Sequence, residues 1–340
     1  MNGAGVFCIE SSEVKKVNLR QRLSAYAAAI GMLILILDGK TALTGAQEGI
    51  RLCLETVIPA LFPFFVLSTV LIRCGTPEKS GKPGWIGRLF GLPAGAEYLL
   101  IPGFLGGYPV GAQCVAQAYR NGSLSKPDAL RLLAFCNNAG PAFLFGMVGQ
   151  FFPNRWMVWL LWLIHISGAL IAASCFTRNH SFSAYKATAG GQETSPLLIS
   201  VKTMGIVCGW IVLFRVLIAF CDRWILWLFP PAVRVTLVAL LELSNGCCEL
   251  SSVADIPMRF LLCSGMLAAG GLCVTMQTAS VTDGLSLKYY FTGKLIQLCV
   301  SLILSTCIAY STLLPLVLML PFAVLWKGKK GGSNPSLSGV

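Results

Sequence analysis

Apolar runs near the length of a membrane crossing recur along this chain, and they fix its solvent before any other property is considered. Leu23 to Leu37, Glu48 to Ile72, Ala129 to Phe152, Trp156 to Phe176, Leu197 to Cys221, Pro257 to Ser280, Tyr289 to Tyr310 and Leu313 to Trp326 are candidates. A helix rising about 1.5 Å per residue needs roughly 20 such residues to cross about 30 Å of hydrocarbon. Only 12% of the 340 residues are charged and 55% are hydrophobic, against roughly a quarter charged in a soluble domain. Such a chain cannot clothe a water-facing surface. The expected fold is an all-α polytopic membrane protein with about 8 full spans, its main partner being the lipid bilayer.

The net charge of +12 does not point to nucleic acid. The basic residues cluster in alternate short loops, which is how a membrane protein keeps its basic loops in the cytoplasm. On that rule residues 1–23, the loop holding Lys79 and Lys82, the loop holding Arg178 and Lys186, and the tail with Lys327, Lys329 and Lys330 lie inside. The first apolar segment, with its Asp38-Gly39-Lys40 exit, reads as a retained helix rather than a cleaved leader. The 14 cysteines form no CxxC pair, so a zinc site or disulfide framework is not expected. His165 and His180 stand far apart without carboxylates, and no Ser/His/Asp set can be placed. Neither an enzyme nor a cofactor-binding protein is expected, and His165 reads as structural or pore-lining.

Two further stretches are apolar but punctuated. Leu89 to Tyr119 contains Gly106-Gly107-Tyr108-Pro109 and has basic residues on both flanks, so it should enter and leave on one side as a re-entrant hairpin. Trp224 to Ser252 contains Pro230-Pro231 and Asn245-Gly246 and reads as a second hairpin opening the other way. Two spans carry interruptions of their own, at Asn137-Asn138-Ala139-Gly140-Pro141 and at Gly270-Gly271. Pro141 has no amide hydrogen, and an unpaired backbone group in lipid costs several kcal/mol. Such breaks persist where protein, water or a ligand satisfies them.

Residues 24–152 and 156–282 show the same series of plain span, amphipathic span, broken hairpin and interrupted span. The charge rule makes corresponding elements run in opposite directions. An inverted repeat with paired discontinuous helices is a signature of secondary transporters with a midplane site. Residues 1–23 form an N-terminal segment, 289–326 a closing helical pair and 327–340 a tail. Half-helix N-termini after the breaks favour an anionic group. The candidate substrate-binding residues are Gly106, Gly107, Tyr108, Pro109, Asn137, Asn138 and Gly140 in the first half, with Glu242, Asn245, Gly270, Gly271 and Gln277 in the second. The rival reading of the breaks is a packing kink. For Glu242 and Glu249 it is pairing with Arg234 or a rim position, and Lys202, Arg215 and Lys294 are expected to snorkel from span ends.

At Gly106-Gly107-Tyr108-Pro109-Val110-Gly111-Ala112 and at Leu132 to Phe143 the sequence resembles the YlbJ-type sporulation integral membrane proteins, within the wider group carrying a nucleoside-recognition or gate domain. The resemblance covers about residues 45 to 310. It implies a bacterial membrane protein of spore formation, in the outer forespore membrane, that passes a small anionic solute, dipicolinic acid. A nucleoside-type solute transporter and a non-transporting membrane scaffold for sporulation are the alternatives. The coupling ion and oligomeric state stay open.

Overall fold

The computed structural model describes residues 19–73, 87, 90, 92, 95–177, 195–282 and 284–310. Every regular element among them is helical. Five helices are long and apolar enough to cross a membrane, at 39–71, 155–176, 196–224, 256–281 and 288–310. The expected eight full spans are therefore not all present as continuous helices among the described residues. The apolar helix Arg22–Leu37 is shorter than a span, and the stretch 129–152 is split. The expected final span at 313–326 and the basic loops and tail used to orient the chain lie outside the described residues.

Helix α1 (Leu19–Leu37) ends where the Asp38 side chain accepts from the Thr41 amide, capping α2 (Gly39–Leu52). A π turn over Cys53–Val57 joins α2 to α3 (Ile58–Arg73). Helix α4 (Leu100–Leu105) follows a 3-10 turn at Ala96–Leu99, and α5 (Val110–Arg120) follows the Gly106 to Pro109 segment. Gly107 lies at φ +80, a backbone conformation that favours glycine, and the Tyr108–Pro109 peptide is cis. A Cβ on Gly111 would sit 2.8 Å from the Gly103 Cα. These two glycines are equally distant from Gly107 along the chain, so α4 and α5 fold back on each other as a hairpin. Its tip is where the glycines and proline placed it.

The first interrupted stretch begins with α6 (Lys126–Leu133), capped by the Ser125 hydroxyl on the Asp128 amide. The helix is lost through Asn137 to Gly140 and resumes as a π segment at Ala142–Met147 and a 3-10 turn at Val148–Phe151. Pro141 opens the new segment, where its missing donor is harmless. Helices α7 (Arg155–Thr177) and α8 (Pro196–Trp224) are long and unbroken.

The second hairpin breaks at a different residue from the one the sequence suggests. Helix α9 (Pro231–Leu241) stops at Glu242, whose φ of −145 and ψ of 119 are extended, and α10 (Leu243–Cys248) starts directly after it. Asn245 and Gly246 sit inside α10. A Cβ on Gly246 would lie 2.5 Å from the Ala239 Cα, so this glycine lets the two arms touch and does not end a helix. Then α11 (Ile256–Ala269) and α12 (Gly271–Val281) meet at Gly270 and Gly271, with φ of +75 and +79, as expected for paired glycines. Helix α13 (Lys288–Tyr310) closes the described chain.

Two glycines that the sequence reading passed over fix the helix packing. Gly45 and Gly49 of α2, four residues apart, face α8 so closely that added Cβ atoms would lie 2.9 Å from Val216 Cα and Val212 Cα. Where lipid removes the hydrophobic drive between helices, such small-residue contacts bring backbones together. Helix α13 lies against α7 and α11 through Gly168 beside Gln297 and Gly265 beside Leu302.

Candidate functional site

Each hairpin rests on a break. A Cβ on Gly140 would come 2.7 Å from the Gly107 amide nitrogen, and one on Gly271 would come 2.5 Å from the Ala239 carbonyl oxygen. Between these paired breaks lies a cavity of about 540 Å³. Gly107 and Tyr108 of the first tip, Glu242, Leu243 and Ser244 of the second, Ala139 and Gly140 of one interruption, and Val274 and Gln277 of α12 all line it. Val207 and Ile211 of α8 add an apolar wall, and residues 55–61 and 142–150 supply the rest. Its exposed lining residues are Glu55, Pro59, Gly146 and Gln150, whereas Tyr108, Glu242, Val274 and Gln277 are buried.

The candidate residues divide into two groups. Gly107, Tyr108, Gly140, Glu242 and Gln277 line the cavity. Asn137 and Asn138 are fully buried behind it and tie the backbone together. Asn137 Nδ2 donates to Thr278 Oγ1 at 2.9 Å, and Asn138 Nδ2 donates to the Phe135 carbonyl at 2.7 Å and the Gly103 carbonyl at 3.4 Å. Gly106, Pro109, Gly270 and Gly271 shape the tips and breaks. Asn245 lies behind the second tip, with its Nδ2 donating to Glu242 Oε2 at 2.7 Å.

A buried polar network backs the first tip. The Tyr108 hydroxyl donates to the Leu267 carbonyl at 2.9 Å and accepts from Lys294 Nζ at 2.8 Å. Lys294 also donates to Gln297 Oε1 at 2.9 Å, and its Nζ lies 4.6 Å from the centre of the Tyr108 ring. Gln297 Nε2 in turn donates to Asn138 Oδ1 at 3.1 Å and to the His165 carbonyl at 3.1 Å. The Ala139 amide, released from helical pairing by the break, donates to His165 Nε2 at 3.0 Å. That accounts for one of the backbone groups the interruption sets free, and gives His165 a structural role.

Lys294 therefore does not snorkel. It is 7% exposed and turned inward beneath Tyr108. Arg215 does not reach for the interface either: it pairs with Glu48 and lies 3.7 Å from Asp222. Arg234 binds Asp222 at 2.8 Å and holds both oxygens of Glu249 at 3.0 Å, so for Glu249 the pairing reading holds. Glu242 takes no part in these pairs. Its Oε1 accepts from the Ser244 amide at 3.1 Å and its Oε2 from the Asn245 amide at 2.7 Å. Glu242 thus caps the N-terminus of α10 with the chain's own carboxylate.

Lys294 and Gln297 were missed because a lysine six residues past the start of a helix looks like an interface anchor. The one available signal was their spacing of three, which places both on one face of α13. Among the described residues no group of three or more His, Cys, Asp or Glu side chains is placed to hold a metal ion.

No family model matches the chain, and no solved structure matches it. Among curated proteins it is similar to the sporulation integral membrane protein YlbJ of Bacillus subtilis (strain 168), with 26% identity over 303 residues, covering 74% of this chain and 74% of that protein. The apolar helices and this likeness together make the chain a multi-pass membrane protein, and they support a YlbJ-type assignment.

Proposed function

We propose that the chain is a membrane transporter or facilitator of a small anionic solute during spore formation, with dipicolinic acid as the solute and the outer forespore membrane as its location. The observation that carries this reading is the cavity of about 540 Å³ walled by both hairpin tips and by both helix breaks. Pockets of this volume suit small ligands. Breaking four elements around one hollow has no purpose in a scaffold, since each break releases backbone groups that must be satisfied again. The order of elements in 24–152 and 156–282, and the seating of each hairpin on the break of its own half, favour two inverted repeats around that hollow. The relative's name places it in sporulation, which agrees with the proposed setting.

The test is to fill the hollow. Ala60 and Ala142 line it with small side chains, so Ala60→Trp or Ala142→Trp in protein that inserts normally should lower dipicolinate flux into proteoliposomes at least tenfold. Flux equal to that of the unaltered protein removes the cavity from the transport path. Normal spore dipicolinate in cells carrying either variant would count the same way.

A further inference from the structure

An anion in this cavity meets an unexpected wall. The lining contains two carboxylates, Glu55 and Glu242, and neither a lysine nor an arginine. Glu55 lies at the exposed side and is answered by Arg51 at 2.8 Å. Glu242 is 2% exposed and appears in none of the ion pairs among the described residues. Arg234, the base on its own hairpin arm, is already held by Asp222 and Glu249. An ionisable side chain at membrane depth with no charged partner marks a functional position more often than a structural one.

We infer that Glu242 is a proton-binding site, loaded when the cavity takes up an anion and unloaded when the anion leaves. The inference rests on reading the cavity as a transport site. The geometry suits the role. Both carboxylate oxygens are anchored by donors, the Ser244 amide on Oε1 and the Asn245 amide and Nδ2 on Oε2, so the group keeps its place in either state. Those N–H groups support the charged form, and the dry surroundings support the neutral one. A group caught between opposed influences can both accept and return a proton. On loading, an O–H bond forms at one Glu242 oxygen with a proton from the aqueous phase; on release that bond breaks and the proton returns to water. No oxidant or metal takes part.

The ionisable groups around Glu242 leave the proton to it. Cys53 of the π turn and Cys273 of α12 are buried thiols, and Cys247 of α10 is another, with Cys263 of α11 beside it. Cys248 of α10 is exposed. On α8 the charges of Arg215 and Asp222 are spent on Glu48 and Arg234. Tyr108 faces the same cavity but its hydroxyl is engaged by Lys294 and Leu267.

Infrared spectroscopy of the purified full chain in lipid reads the site directly. A protonated-carboxyl stretch that responds to pH, disappears in Glu242→Gln and moves without disappearing in Glu242→Asp is the expected result. Adding dipicolinate should strengthen the band, with uptake of about one proton per bound molecule from unbuffered solution. Absence of any titrating carboxyl band removable by Glu242→Gln overturns the proton site. A band that titrates and vanishes in Glu242→Gln, yet ignores dipicolinate, upholds the proton site and counts against the solute reading alone.

Discussion

Lys294 Nζ donates to the Tyr108 hydroxyl at 2.8 Å, across 186 positions of sequence, so a helix outside both hairpins holds the first tip by its tyrosine. The bond is one-sided in its consequences. Tyr108 keeps a second partner in the Leu267 carbonyl, whereas Lys294 without Tyr108 retains Gln297 and no other hydrogen-bond acceptor among the described residues.

Tyr108→Phe should accordingly be the more damaging of the two single changes. It leaves the buried Lys294 Nζ short of an acceptor, at about 1–3 kcal/mol, while Lys294→Met places an apolar side chain in an apolar helix. The double variant should resemble Lys294→Met alone. Thermal midpoints of the four purified proteins decide it, and additive losses would show that the pair is not coupled.

His165→Leu takes away the acceptor of the Ala139 amide. A stranded buried donor costs about 1–3 kcal/mol, and Gln at the same position can return an acceptor. The expected order of stability in detergent is wild type, then His165→Gln, then His165→Leu. A leucine variant as stable as wild type would mean the amide has another partner.

Gly49→Leu should abolish a stable fold, because even its Cβ would lie 2.9 Å from the Val212 backbone. Gly31→Leu on α1 is the control, since nothing lies within 4 Å of that position. Yield of monodisperse protein after extraction separates them; equal yields would refute the close approach of α2 and α8.

Gly271 and Gly284 both have φ near +80, which alanine resists by about 1 kcal/mol. Only Gly271 also faces a wall, with the Ala239 carbonyl 2.5 Å from an added Cβ; around Gly284 the space is open. Gly284→Ala should therefore lower stability slightly and Gly271→Ala severely. Similar midpoints would show that backbone strain alone governs both sites.

The parts of this fold that glycine and proline cause are the parts legible in the sequence. Gly106 to Pro109, Gly140-Pro141 and Gly270-Gly271 break helices because of their own backbones, so local chemistry announces them. Glu242 breaks α9 by a side-chain bond to the amides ahead of it, and a glutamate in an apolar run carries no such announcement. Asn245-Gly246 misled for the same reason, since a glycine that admits a neighbouring arm looks identical in sequence to one that ends a helix. Gln277 was legible as a polar residue after a break, whereas the links from Lys294 and Gln297 to Tyr108 and Asn138 are set by how α13 packs. Asn137 and Asn138 attracted attention as polar groups at depth, and their bonds turn inward to Thr278, Phe135 and Gly103.

The exposed members of the cavity lining, Glu55, Pro59, Gly146 and Gln150, all belong to the flank formed by residues 55–61 and 142–150. The hollow thus has a doorway on one bank and a closed bank opposite, where the two hairpin tips stand. On the proposed transport reading a guest admitted through that doorway crosses only when the far bank yields, which means shifting Tyr108 off Lys294 or turning Glu242 away from the amides of Ser244 and Asn245.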